Sequence, residues 1–261
     1  MHLPARLFGP DGEEIVDLDS WFVHAPPEKG LAQWKDGFSA KEQAKAWLRS
    51  GQPKMTEELW SALSPLAPDA DEVYGRPEHT TRLDKFSRAR QHDLFACLRH
   101  EGVMTTAIGI EAKACEDFDG TVGDRAGAAP PSKKRARCNL LARALFGREV
   151  FDEESGEALD AELCAHGYQL WTAAVGTIIE AQRRDLRRAV LVVHQFRPRD
   201  LNAAARTDDK RDWATALSEN AEAFATFAKA LEASGATSLE TEFVQPGTAL
   251  DVLKVETYVD M

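Results

Sequence analysis

The sequence has few cysteines, no long apolar run and a deficit of positive charge, and each shortage removes a class of function. Four cysteines stand at 97, 115, 138 and 164. Their spacing leaves no CxxC pair to nucleate a zinc site or a redox motif, so reduced and mostly buried thiols are expected. Gly167–Ile179 has thirteen uncharged residues, well short of the roughly 20 that cross a bilayer as a helix. The opening Met1-His2-Leu3-Pro4-Ala5-Arg6 lacks the apolar core of a secretory signal. Together these features predict a soluble, cytoplasmic chain with no membrane partner. No Gly-rich phosphate loop, Ser-His-Asp order or HExxH occurs, which leaves nucleotide hydrolysis, acyl transfer and zinc proteolysis without support. With 32 Lys and Arg against 43 Asp and Glu, the net charge is −11. That balance argues against a protein that coats nucleic acid by phosphate neutralisation.

What is present is enough apolar material, 43% of 261 residues, for one sizeable core or two small ones. Charge is unevenly spread: residues 81–150 hold 13 basic and 9 acidic side chains, a local excess of positive charge within an acidic chain. Leu7-Phe8 and Ile15-Val16 flank Gly9-Pro10-Asp11-Gly12 and read as a hairpin. Helical periodicity starts at Ser39, with Ala44, Trp47 and Leu48 on one face and Ser50-Gly51 as the stop. A second short helix is expected over Thr56–Leu63. Alternation then predicts strands over Thr81–Phe86, His92–Arg99 and Thr105–Ala114. Ser132 caps a helix from Lys133 to Phe146 that Gly147 ends. A long apolar-striped helix is predicted over Ala161–Arg184. Ala189–Val193 reads as a fully buried strand. A last helix carries Trp213, Leu217, Phe224, Phe227 and Leu231 and stops at Gly235, ahead of two strands around Gln245-Pro246-Gly247. The sum is α/β with a mixed sheet flanked by helices.

Chemistry concentrates on the predicted hairpin around Gly102. If it is centred there, paired positions sum to 204, which sets Phe95 opposite Gly109 and Asp93 opposite Glu111. On a strand Glu111 and Lys113 share one face, while Ile108, Ile110 and Ala112 take the other. Directly opposed carboxylates, with Cβ atoms about 5 Å apart, can hold one divalent cation and repel each other without it. Mg²⁺ or Mn²⁺ held this way polarises a phosphoryl oxygen and activates water, while Lys113 stabilises the charge that develops. The ordinary alternative is a solvated Glu111–Lys113 pair on an edge strand. A purely structural pair predicts that replacing Glu111 relieves repulsion with Asp93 and raises stability.

Asp93 followed by Glu111-Ala112-Lys113 on the next strand resembles the PD-(D/E)XK signature of the restriction-endonuclease-like nuclease superfamily. The wider run is similar to a little-characterised bacterial branch of it, through Ser39 to Gly51, Gln91 to Phe95, Ile110 to Gly123, and Gly167-Tyr168-Gln169-Leu170. The likeness spans about residues 35 to 196. Gln91-His92 stands where the superfamily name expects a proline. The resemblance implies an αβββαβ core within residues 38–261, preceded by an N-terminal extension over 1–37. It implies a Mg²⁺- or Mn²⁺-dependent nuclease with Asp93 and Glu111 as metal ligands and Lys113 as the catalytic cation. Nucleic acid, DNA before RNA, is the implied partner.

Further residues follow from the same likeness. A Glu on the first helix often completes such a metal site, which makes Glu42 a candidate ligand, although Ser39-Ala40-Lys41-Glu42 is also a capping box. Related exonuclease-type members bring a Gln and a Tyr of the later helix to the site. Neighbouring helical residues point about 100° apart, so Gln169 is assigned to substrate and Tyr168 to packing. Glu116 and Asp119 could take a second cation or be solvated. Lys133, Lys134 and Arg137 place positive charge at a helix start, against the dipole, and suit a phosphate backbone. Arg183, Arg184, Arg187 and Arg188 could do the same at a helix end. His194 is expected to be a hydrogen-bonded core residue, and His92 is given no role. The competing reading, prompted by the acidic flanks, is a catalytically silent binding or regulatory module working with a second copy or another protein.

Overall fold

The computed structural model describes residues 3–49, 51–85, 89–118, 120–127, 132–201, 213–234 and 247–259. Chain order is β1 (Ala5–Phe8), β2 (Glu14–Ile15), α1 (Leu18–His24), α2 (Ser39–Leu48), α3 (Glu57–Leu63), β3 (Glu72–Thr81), β4 (Arg90–His100) and β5 (Val103–Lys113). There follow α4 (Val122–Ala126), α5 (Lys133–Phe146), α6 (Ala161–Cys164), α7 (Tyr168–Gln182), β6 (Arg188–Pro198), α8 (Trp213–Ser234) and β7 (Ala249–Val259). The strands form one mixed sheet in the order β2-β1-β3-β4-β5-β6-β7. β3, β4 and β5 form an antiparallel meander, and β6 and β7 run parallel to β5.

Each face of the sheet carries its own core, as the alternation of side chains requires. Leu94, Ala96, Ile108, Ile110, Val190 and Val192 pack with Trp47 of α2 and Leu59 and Leu63 of α3. Phe95, Cys97, Ala107, Leu191 and Val193 pack on the other side with α5, α7 and Phe227 of α8. β6 is buried along nearly its whole length between β5 and β7, as its continuous apolar run predicts. The N-terminal hairpin pairs Leu7 with Ile15 and adds to the sheet through β3. Ser132 caps α5 through the Arg135 amide, and Gly147 closes it in the left-handed conformation. All four cysteines are free thiols.

Two expectations need correction, and a third falls partly outside the described residues. The strand expected over 81–86 lies earlier, at Glu72–Thr81, because Gly75 and Pro77 mask its pattern. Pro77 is tolerated because β1 pairs with β3 only as far as Gly75, which leaves the Pro77 edge without a ladder partner on that side. The single helix expected over 161–184 is two, with Gly167 as the N-cap of the second. Of the two strands expected around Gln245-Pro246-Gly247, β7 follows the turn, and residues 235–246 lie outside the described residues.

Candidate active site

The β4–β5 hairpin turns through Glu101 and Gly102, both at positive φ (49° and 81°). This two-residue turn matches the strand twist and demands a residue such as glycine at its second position. Next to the turn His100 pairs with Val103 and Arg99 with Met104; a bulge between Arg99 and Leu98 then shifts the pairing to Leu98–Thr106, Cys97–Ala107, Ala96–Ile108, Phe95–Gly109 and Leu94–Ile110, the expected register. Beyond Ile110 the ladder gives way to a side chain: Asp93 Oδ2 accepts the Ala112 amide at 2.7 Å. The register thus brings Asp93 alongside the Glu111–Lys113 end of β5.

β5 is an interior strand, so the reading of Glu111 and Lys113 as a solvated edge pair fails. Glu111 is 1% exposed and Lys113 4%, and Lys113 Nζ donates to Glu111 Oε1 at 2.7 Å. Arg90, absent from the sequence reading, pairs with Glu111 Oε2. Burial pushes the Glu111 pKa up, but Arg90 and Lys113 overcome it and hold the carboxylate below its usual range. Burial pulls Lys113 down, yet Glu111 and Asp93 keep its pKa above the ordinary lysine value. Asp93 is pushed up to about 7 by burial and by the charge of Glu111, against Lys113 and Arg90. A third carboxyl, Glu78, is raised to about 9 by burial and by Asp93. It sits at φ 53° in β3 and accepts from Gln91 Nε2 at 2.6 Å.

The exit of β5 is fixed from behind. Gln195 Nε2 donates to the carbonyls of Lys113 (3.2 Å) and Ala114 (2.8 Å), and Asn220 Nδ2 donates to the Glu116 carbonyl at 2.8 Å. The Lys113 ammonium lies 5.3 Å from the centre of the Phe118 ring. Gln195, Asn220 and Arg90 escaped the sequence reading because their roles depend on neighbours from distant segments. Arg90 also fell just before the strand start expected at His92.

In front of these residues opens a cleft of about 670 Å³. Asp93, Arg90 and Glu78 line its inner end, and Lys133, Lys134 and Arg137 line one wall. Gln169 and Tyr168 both face it, which corrects the expectation that Tyr168 only packs. Gln169 Oε1 is buried there without a hydrogen-bond partner. Arg137 is clamped by the buried carboxylate of Asp84, Nε to Oδ2 at 2.5 Å and Nη2 to Oδ1 at 2.8 Å. Pro27, Glu28 and Gln33 also line the cleft.

Other candidates fall elsewhere. Glu42 is buried, and its Oε1 accepts from the Gly37 amide (2.8 Å) and Lys45 Nζ (3.0 Å). Phe38, not Ser39, is the N-cap of α2, and Glu42 secures the Gly37 amide, two residues before the N-cap of the expected capping box. Glu116 accepts from the Ser39 and Ala114 amides; Asp119 lies outside the described residues. Arg183 and Arg184 bond the buried Glu180 at 2.6 and 2.5 Å, and Arg188 faces Asp251 at 3.5 Å, so that end of α7 is charge-paired. His194 Nε2 meets Thr257 Oγ1 at 2.9 Å in the core, as expected. His92 is fully buried against Phe95, where Gly109 and Gly176 leave room for its ring. Among the described residues no three His, Cys, Asp or Glu side chains converge as a metal cage, and no helix is long and apolar enough to cross a membrane.

No curated protein and no solved structure matches the chain. A family model does, over residues 14–258, nearly the whole sequence and the entire β3–β7 sheet with its cleft. The chain therefore belongs to the family described as a domain of unknown function, DUF6946.

Proposed function

We propose that the chain is a metal-dependent phosphodiester hydrolase with a restriction-endonuclease-like core, acting on nucleic acid through Asp93, Glu111 and Lys113. The observation that carries this reading is a buried Glu111–Lys113 ion pair beside Asp93, at the inner end of a cleft with a basic wall. An isolated ion pair is costly to bury and stabilises little, so its placement behind a cleft speaks for chemistry. The succession α2, β3, β4, β5, α7, β6 supports the αβββαβ core.

The donor set fits a hard divalent cation. Asp93 and Glu111 offer carboxylate oxygens, and the rise of Asp93 to about 7 comes from burial and from the like charge of Glu111, which a cation relieves. These two residues would hold Mg²⁺ or Mn²⁺; Glu42, already engaged by Gly37 and Lys45, is left out of the set. Such a cation supplies Lewis acidity toward a phosphodiester. Lys113, held protonated by Glu111 and Asp93, offsets negative charge gathering on the phosphoryl oxygens. For Glu111 to turn outward Arg90 must release Oε2, and its guanidinium on the cleft wall can then take a phosphate oxygen. Lys133, Lys134 and Arg137 carry the flanking backbone.

One observation favours a second reading. Arg90 already satisfies Glu111, as an internal cation would in a silent binding or regulatory module that works with a second copy or another protein. Thermal unfolding with millimolar Mn²⁺ or Mg²⁺ separates the two, since a ligand bound only by the native state raises Tm. The hydrolase reading expects a rise of several degrees that Asp93→Asn abolishes. No rise in the wild type contradicts it.

A further inference from the structure

We infer that the cleft takes nucleic acid as an unpaired strand, so that single strands and frayed or extruded nucleotides are its substrates and intact duplex is not. This deepens the hydrolase reading and rests on it for the chemistry, while the recognition stands on the shape of the cleft. At about 670 Å³ the cleft is on the scale of a small-ligand pocket, with room for about one or two nucleotides. The groups meant to act lie at or behind its inner end, with Glu111 and Lys113 almost without exposure. A phosphodiester must therefore enter the cleft, and within a duplex each phosphate is tied to a paired, stacked base that cannot follow it. Enzymes acting on such buried sites take single strands or pull the nucleotide out of the stack.

The lining agrees with one chain rather than two. Arg90, Arg125, Lys133, Lys134 and Arg137 bring positive charge to it, and Glu28, Glu78 and Asp93 bring carboxyls. One backbone is attracted to the cations, and a second alongside it would meet the Glu28 carboxylate. The remaining lining suits exposed bases. Tyr168 offers an aromatic surface for stacking. Gln91 and Gln169 offer amides for base edges, and the buried Gln169 Oε1 lacks the donor that an amino or imino group of an unpaired base supplies.

The experiment measures binding of the full chain to short labelled oligonucleotides of one sequence, single-stranded and duplex, as DNA and as RNA, by fluorescence anisotropy in EDTA. Cleavage of the same probes is then followed with Mn²⁺. Single strands are expected to bind at least about tenfold more tightly than duplex. The double substitution Lys133→Ala, Lys134→Ala should lower the salt slope of log affinity by about 1 to 1.5. Glu28→Lys should narrow the preference by strengthening duplex binding. Equal or tighter binding of duplex, with both forms cut, overturns the inference and leaves the hydrolase reading intact. Selective binding of single strands without cleavage in Mn²⁺ or Mg²⁺ upholds the inference about the strand and overturns hydrolysis. Absence of binding to any probe overturns both.

Discussion

Glu111 carries one negative charge that two buried cations share, and this decides how it responds to substitution. For a purely structural pair, removing Glu111 was expected to relieve repulsion with Asp93. The structure reverses that sign, because Arg90 and Lys113 would be left buried without their carboxylate. Breaking a buried pair by deleting one partner costs about 3–5 kcal/mol. Glu111→Gln is therefore expected to lower the free energy of unfolding by about that amount in urea titration, and a raised midpoint would show that repulsion dominates. That Asp93 comes alongside Glu111 was legible from a hairpin centred on Gly102, although the two-residue turn alone would shift the register by one and a bulge between Leu98 and Arg99 restores it. Arg90 and Glu78 were not legible. One lay before the expected start of its strand, and the other sits in a strand whose glycine, proline and left-handed backbone hide the alternation.

At the scale of elements, α7 lies so close to β4 and β5 that side chains are missing where they meet. A Cβ on Gly109 would sit 1.9 Å from Thr177 Oγ1, and one on Gly176 would sit 2.9 Å from His92 Nε2. Gly109→Ala must push α7 outward and is expected to cost about 1–3 kcal/mol. Because α7 also carries Tyr168 and Gln169 into the cleft, the same variant should weaken oligonucleotide binding. Stability and binding both unchanged in Gly109→Ala would show that the helix is not held at this distance. Helices α2, α3, α5 and α8 and the buried β6 could be read from periodicity and caps, which are local signals, whereas the short α1 and α4 were not. The split between α6 and α7 could not, since Gly167 interrupts an apolar stripe that continues across it. The cleft was legible only in pieces, because its walls come from the N-terminal segment, α5 and α7.

For the whole molecule, buried titratable groups act on acid stability with opposite signs, and His194 is one that favours unfolding as pH falls. Burial lowers the His194 pKa to about 3, against about 6.5 in an unfolded chain. Between these values the unfolded state binds a proton that the native state refuses, so stability rises with pH across the window and is lost on acidification. From pH 6.5 to 5 this one residue should cost about 2 kcal/mol. The raised carboxyls Glu78 and Asp93 act with the opposite sign, their protonated forms favouring the fold as pH falls. Comparing wild type with His194→Gln isolates the histidine contribution, because the other groups cancel. The variant should lose less stability between pH 7 and 5 in urea titration, and an equal loss contradicts the assignment.

The proposed hydrolysis joins these scales: a sheet-centred ion pair beside a cleft lined by cations would serve metal-dependent cleavage of a phosphodiester. The most direct measurement follows cleavage of single-stranded oligonucleotides with Mn²⁺ by wild type and by Lys113→Ala, with EDTA as the control. The account predicts metal-dependent cleavage by the wild type that falls by at least about a hundredfold in the variant, with Mn²⁺ still raising the Tm of both. Undiminished cleavage by Lys113→Ala, or none by the wild type, would contradict it.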